Sequence, residues 1–589
     1  MIVFQKDNLK IDLTSKGITF KEVNDIFKDT IIKKYSFPFF IYANEENAAA
    51  LGLVNIENVT INDNRIYGTL IKDNIFFDAY LSIDEVIDDK IELTLFYGDE
   101  TRPFLDKNLR DFQYEYIYSG NNFQAHANAI INSSFPNVTH QFAKIYNDKI
   151  KELDNYQYFE GYVNNYDSGN SVFLENTIDV IDGQNVSVNR NVIQPMIYLL
   201  EILRNCMAQE GYEITGSFYN DDFIRKIILV PDKFLEIYAN SQLQQYQFNY
   251  FTEQASYFGD VLDVFKKIHV PTSVGDYELK INLNLPDYIA QLFSIRVYRG
   301  FETLFYAETN NNNVNISETI TIPVDQNTVL IDIIVELKLR SQNNSIQDYN
   351  SFEFKFKGSQ LNIFPNYYSL RDFVPNITLR EWLNILKNWF NLSIKWGENI
   401  LEINYLNDLI ENINTIDHSY YQDPNKVIDY NSYKKFKLNY INKEGITISK
   451  NGLIYENSND NRAVNLEINS SYLKTSYNNN IFTGVYNNEQ TNVICTLYDG
   501  LQNNEPLTVN SINGNSLDII SIYSKFWKKW LNFRTNSNLY KDKFIIHYLN
   551  IFSFNEALYK YNKKHLIRSI QKKRIDKEHY QVDLETETF

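Results

Sequence analysis

The sequence predicts a β-rich α+β protein of several domains, with small antiparallel β-barrels or sheets, helical insertions and a central β-sandwich. Three observations carry that expectation. Short apolar runs, often alternating with polar residues, recur along most of the chain and are separated by Asn, Asp and Gly. Tyr and Phe, which favour strands and broad contact surfaces, number 44 and 40, and aromatics reach 15%. At 589 residues the chain exceeds what one hydrophobic core supports, and about 100–200 residues per domain gives roughly three to five domains.

Residues 1–120 read as a β-barrel-like domain, with strands at 64–72, 75–83 and 90–97 bounded by Asn62-Asp63-Asn64 and Gly98-Asp99. Pro38 keeps the aromatic stretch Tyr35-Ser36-Phe37-Pro38-Phe39 extended. Residues 121–190 read as a β and loop connection, with weak strand signals at 156–163. In 191–269, Pro195 opens a helix that places Ile197, Leu199, Leu200, Leu203 and Met207 on one face and stops at Gly211. A strand at 212–216, the turn Asn220-Asp221-Asp222, a strand at 224–230 and a second helix at 256–269 follow in this α+β domain.

Residues 270–357 read as the β-sandwich, with strands at 277–283, 292–298, 316–323, 329–339 and 351–357. The loops at 310–313 and 341–348 are too polar to be buried. The segment 358–429 repeats the helix-plus-strand theme. Thr378 caps a helix carrying Leu379, Trp382, Leu383, Ile385, Leu386 and Phe390, and 392–396 pairs with 400–406 about Gly397. In the C-terminal β-rich domain, 430–589, an Asn-rich span near 450–492 precedes an amphipathic helix at 524–533 and strands at 544–549, 565–570 and 580–584.

No catalytic, cofactor-binding or metal site is read from the residues. The seven histidines, His126, His140, His269, His418, His547, His565 and His579, stand singly, without HExxH, HxH or Cys/His spacing. Cys206 and Cys495 form no CxxC pair. No GxSxG, Walker or dinucleotide-binding pattern occurs, and 20 glycines leave little for phosphate cradles. Asp84-Glu85 and Asp88-Asp89 resemble paired glycosidase carboxylates in type, but turn residues are the plainer reading. The basic group Lys563, Lys564, Arg568, Lys572, Lys573, Arg574 and Lys577 reads first as a solvated strand edge and second as a face for an acidic neighbour or for DNA. A net charge of −18 repels a nucleic-acid backbone. No leader-like apolar region opens the chain and no run of eighteen apolar residues occurs, so neither secretion nor membrane insertion is expected.

Three stretches resemble segments of structural tail proteins, of tail-hub or tail-ring type, from phages and prophages of Bacteroidetes, including crAss-like short-tailed phages. The first runs from Tyr35-Ser36-Phe37-Pro38-Phe39 through Asn47 and Leu51-Gly52-Leu53 to the strands ending at Gly98. The second is QPMIYLLEILRNCMAQEGYEITGSF, a helix-glycine-tyrosine-strand unit. The third is FVPNITLREWLNILKNWFNLSI, together with the closing strands at 544–584. The resemblance implies a virion protein assembled in the host cytoplasm, built from small β-barrels with helical insertions. No functional residue is carried over by it.

Three readings follow. The first is a non-enzymatic tail hub or ring subunit that self-assembles, as a trimer or hexamer, and joins neighbouring tail proteins around the DNA exit path. The second is a tail protein that binds or depolymerises host-surface carbohydrate. The third is a bacterial cell-surface or polysaccharide-uptake protein, which the missing leader disfavours. The layout of exposed aromatics separates the first two, because a glycan site gathers two or three rings on one open face whereas an assembly surface spreads them.

Overall fold

The computed structural model describes residues 2–588 except 15–16, 28–33, 53–63, 99–100, 120–121, 182–183, 238–245, 248–254, 259–260, 270–274, 286–289, 310–313, 325–327, 329–330, 342–350, 357–360, 431–433, 442, 457–462, 487–490, 492, 549–551, 555 and 577. The polar loop expected at 310–313 and most of that at 341–348 lie outside the described residues.

The N-terminal strands alternate as their sequences require. In Lys90–Tyr97, Ile91, Leu93, Leu95 and Tyr97 are buried while their neighbours are not. Asp73 and Asn74, both with positive φ, make the two-residue turn between Arg65–Lys72 and Ile75–Ile87. These strands do not close on themselves. Thr19–Val23 pairs antiparallel with Lys563–Arg574, so the first and last parts of the chain share one open fourteen-stranded sheet. The barrel expected for residues 1–120 is therefore replaced by an open sheet, whose edge the C-terminal strands complete.

The largest core draws residues from Leu105 to Leu566, those of several helices among them. Leu199–Gln209 begins four residues after Pro195, because Met196–Ile197 is held as a strand against His140–Gln141. Gly211, at φ +81°, ends it as expected. Leu379–Phe390 starts with a complete capping box, Thr378 accepting from the Glu381 amide while Glu381 reaches back to the Thr378 amide. The two helix-plus-strand units meet in one sheet, where Glu213–Thr215 runs parallel to Ile400–Tyr405. Gly216 permits the crossing, since a Cβ there would stand 2.2 Å from the Ile403 carbonyl oxygen. The C-terminal helical segment spans 519–536 and contains a π turn at Tyr523–Trp527, longer than the 524–533 expected. Trp527 Nε1 donates to the Trp389 carbonyl and Trp389 Nε1 to Tyr440 Oη, locking this segment to the 379–390 helix.

The connection at 121–190 holds an unexpected helix, Phe123–Ile131, whose Phe123, Ala127, Ile130 and Ile131 enter the large core. Its four short apolar contacts fall below the length at which a periodic pattern stands out in sequence.

The central sandwich has two sheets, of four and five strands. Tyr277, Leu279, Ile281 and Leu283 line the inner face of Gly275–Leu285, and Phe293, Ile295 and Val297 that of Ala290–Arg299. The helix expected at 256–269 is absent. Ala255–Phe258 and Val261–His269 are strands, the second paired with Ile333–Ser341. A short apolar run fits either period, and pairing to the sandwich decided it. Glu302–Thr309, a further strand, was not anticipated.

Candidate functional site

The acidic residues considered for chemistry do not converge. Asp84 and Glu85 lie inside the long strand Ile75–Ile87 at a register shift, not at a turn as expected, and Asp84 accepts from the Thr94 hydroxyl across the ladder. Only Asp88-Asp89 occupies a turn, with Asp88 at φ +50°.

The basic group is not a strand edge. Lys563–Arg574 is paired on both sides, and its charges divide between solvent and partners. Lys572 is buried beside Glu22, Arg568 reaches Glu587 at 3.3 Å, and Arg574 lies 3.9 Å from Asp73. The sequence hid this because the partners are up to 550 residues away.

The Glu22 cluster is the tightest of these. Its carboxylate accepts from Lys72 at 3.2 Å and Tyr97 Oη at 2.9 Å, with Lys572 at 3.5 Å, and the Lys72 ammonium sits 4.2 Å over the Phe20 ring. Burial pushes the Glu22 carboxyl up, but the two ammonium groups together hold it well below the usual carboxylate range. Burial lowers Lys72 to about 8 against the pull of Glu22. A second cluster gathers Arg534, Lys434, Arg568 and the Ser537 hydroxyl on Glu587. In each, a single buried carboxylate is shared by two or three cations, so cations outnumber carboxylates in both.

The histidines are less solitary than their spacing suggests. His126 Nε2 lies 2.8 Å and His140 Nε2 2.7 Å from Tyr368 Oη, and Thr139 Oγ1 lies 3.0 Å from His140 Nδ1. Burial lowers His140 to about 3 and His126 by less. His547 and His579 face one another on paired strands, and His565 is buried between Thr586 and the Lys560 carbonyl. Burial raises the Cys206 thiol to about 12, so it is inert, and Cys495 is buried likewise. Among the described residues, no group of three or more His, Cys, Asp or Glu could hold a metal ion, and no helix is long and apolar enough to cross a membrane.

The surface above the His126–Tyr368–His140 cluster is built differently. Tyr116–Tyr118 pairs antiparallel with Tyr367–Ser369 as a two-stranded ribbon. Its outer side carries Tyr116, Tyr118 and Tyr367, exposed by 80%, 56% and 58%, with Tyr118 and Tyr367 stacked at 4.5 Å. Its inner side carries Tyr368, pinned by the two histidines. Beside the ribbon opens a cleft of about 240 Å³ lined by Asn122, Gln124, Glu175, Phe364 and Asn366 among others. Sequence reasoning missed this site because its two strands lie about 250 residues apart.

The fold is that of a β-rich multidomain protein. No family model and no curated protein sequence matches the chain. Among solved structures, a tail protein from Neisseria meningitidis MC58 aligns at 8% identity and a TM-score of 0.18, covering 56% of this chain and 97% of its own. A structure of infectious bursal disease virus, Gt strain, aligns at 13% identity and a TM-score of 0.12, covering 52% of this chain and 72% of that one. Both scores lie far below that of a shared fold.

Proposed function

We propose that the chain is a non-enzymatic structural virion protein of a phage tail, a hub or ring subunit that self-assembles and joins neighbouring tail proteins around the DNA exit path. The observation that carries this reading is the state of the sheet edges. Among the described residues, Phe39–Tyr42, Val427–Asp429, Ile454–Glu456, Lys474–Asn478 and Glu302–Thr309 stand at sheet edges and expose Phe40, Tyr42, Val427, Ile454, Tyr455, Tyr477 and Tyr306. A sheet edge flanked by exposed apolar side chains is a template for pairing with another chain, and closed assembly covers it. The motifs resembling tail hub and ring proteins support the same reading.

Copies related by rotation, three or six in number, would bury more than roughly 1,200 Å² per contact. Electron microscopy of the intact particle tests this through the position and copy number of the subunit. A closed ring in the tail is expected. A single copy, or separate appendages that do not touch, refutes it.

A further inference from the structure

We propose that the tyrosine ribbon formed by Tyr116–Tyr118 and Tyr367–Ser369, with the cleft beside it, is a binding site for an uncharged oligosaccharide.

The ligand class follows from what the site presents. A sugar ring has an apolar C–H face and a rim of hydroxyls, so it asks for an aromatic surface next to amides and a carboxylate. The outer rings of Tyr116, Tyr118 and Tyr367 supply the first. The cleft supplies the second through Asn122, Glu175 and Asn366, the Gln124 amide being held by the Phe173 backbone, and Asn366 immediately precedes Tyr367, so the two halves adjoin. Among the described residues lining the cleft, Glu175 is the one that carries a charge, and it is an anion. A phosphorylated or uronic-acid glycan would meet that carboxylate unpaired, within a chain of net charge −18.

Protein partners are disfavoured by size. A fully buried tyrosine hides roughly 150–250 Å², so three rings exposed by 56–80% offer on the order of 300–500 Å². A stable protein interface takes about 800 Å² from each side. An oligosaccharide needs far less.

The site is also held rigid before any ligand arrives. Tyr368 is anchored beneath the ribbon by His126 and His140, the Ser119 amide donates to the Asn366 carbonyl at 2.9 Å, and the Ser119 hydroxyl bonds the Pro365 carbonyl. Phe364 packs against Phe123 with ring centroids 4.8 Å apart. Rings carried on a backbone fixed in advance, two of them, Tyr118 and Tyr367, already stacked on each other, lose little freedom on binding. This site is independent of the tail-assembly reading, which rests on the edges of other strands.

The test uses the full chain on a printed array that includes maltohexaose, cellohexaose and the hexamer of N-acetylglucosamine, followed by calorimetric titration of each hit. Binding of at least one uncharged glycan is expected. Tyr118→Ala and Tyr367→Ala should each weaken it about tenfold or more, Tyr367→Trp should retain it, and Tyr306→Ala on the sandwich should leave it unchanged. Thermal melting should be unaltered in all four, because each ring is more than half exposed. Failure to bind any uncharged glycan, binding of anionic glycans alone, or binding indifferent to both alanine variants would overturn the proposal. If the alanine variants instead abolish self-association without any glycan binding, the ribbon is an interface between copies and the proposal falls.

Discussion

Replacing Glu22 by Gln should loosen the seam between the first and last strands of the large sheet. Glu22 lies 3.2 Å from the Lys72 ammonium and 3.5 Å from that of Lys572. At an effective dielectric of about 20, each contact is worth about 5 kcal/mol of gross attraction. Desolvation consumes much of that, and removing one partner of a buried ionic group typically costs about 3–5 kcal/mol because the remaining charge is stranded. Lys72 limits the damage. Its ammonium is already lowered to about 8, and without Glu22 it sheds its proton more readily, which places the expected cost near the lower end of that range, about 3 kcal/mol.

A chain with several cores does not melt in one step, so the loss should be read locally, by hydrogen exchange of the amides in Thr19–Val23 and 569–573. About a hundredfold faster exchange is expected at pH 7, with amides of the sandwich unchanged. The difference should shrink in acid. Glu22 has a lowered carboxyl, so its contribution is full above the unfolded value of 4.5 and is lost as the pH falls below it. An exchange rate within about threefold of the parent at pH 7 would show that the cluster is not what holds the seam.

Three further outcomes are expected. His140 and His565 are each lowered to about 3 by burial, so they leave the fold untouched above pH 6.5 and oppose it increasingly as the pH falls towards 3; amide protection in His140–Gln141 and Lys563–Arg574 should drop across that window. His140→Gln should flatten part of the drop. Gly216→Ala should cost more than about 1–3 kcal/mol, since it combines φ +106° with a Cβ only 2.2 Å from the Ile403 oxygen, and tryptophan fluorescence in urea would report it. The segment 246–356, expressed alone, should unfold cooperatively by circular dichroism, and a disordered spectrum would show that the sandwich leans on its neighbours.

Local chemistry was legible wherever it was self-contained. Thr378 and Glu381 sit three residues apart and cap their helix, Gly211 ends another, and the alternation of Ile91, Leu93 and Leu95 fixes a buried face. What failed was non-local. The run at 261–269 is apolar enough for either period, and its pairing with Ile333–Ser341 made it a strand. Pro195 marked a helix that begins only at Leu199, since the residues between were claimed by His140–Gln141. The candidate site suffered most. Each tyrosine of the ribbon looks ordinary in its own neighbourhood, and the site exists only because residues 116–118 and 367–369 pair. The same holds for Lys572, read as solvated but neutralised by Glu22.

The pairing of Thr19–Val23 with Lys563–Arg574 also sets a schedule for the growing polypeptide. Glu22 and Lys572 are 550 residues apart, and at about 5–20 residues per second a ribosome takes roughly half a minute to two minutes to cover that distance. Throughout that interval the early strands wait with one flank unmatched and with Lys72 facing a half-built pocket. A nascent chain in that condition is open to pairing with the copy emerging from the next ribosome on the same message. Production of this protein should therefore depend on holding such intermediates apart.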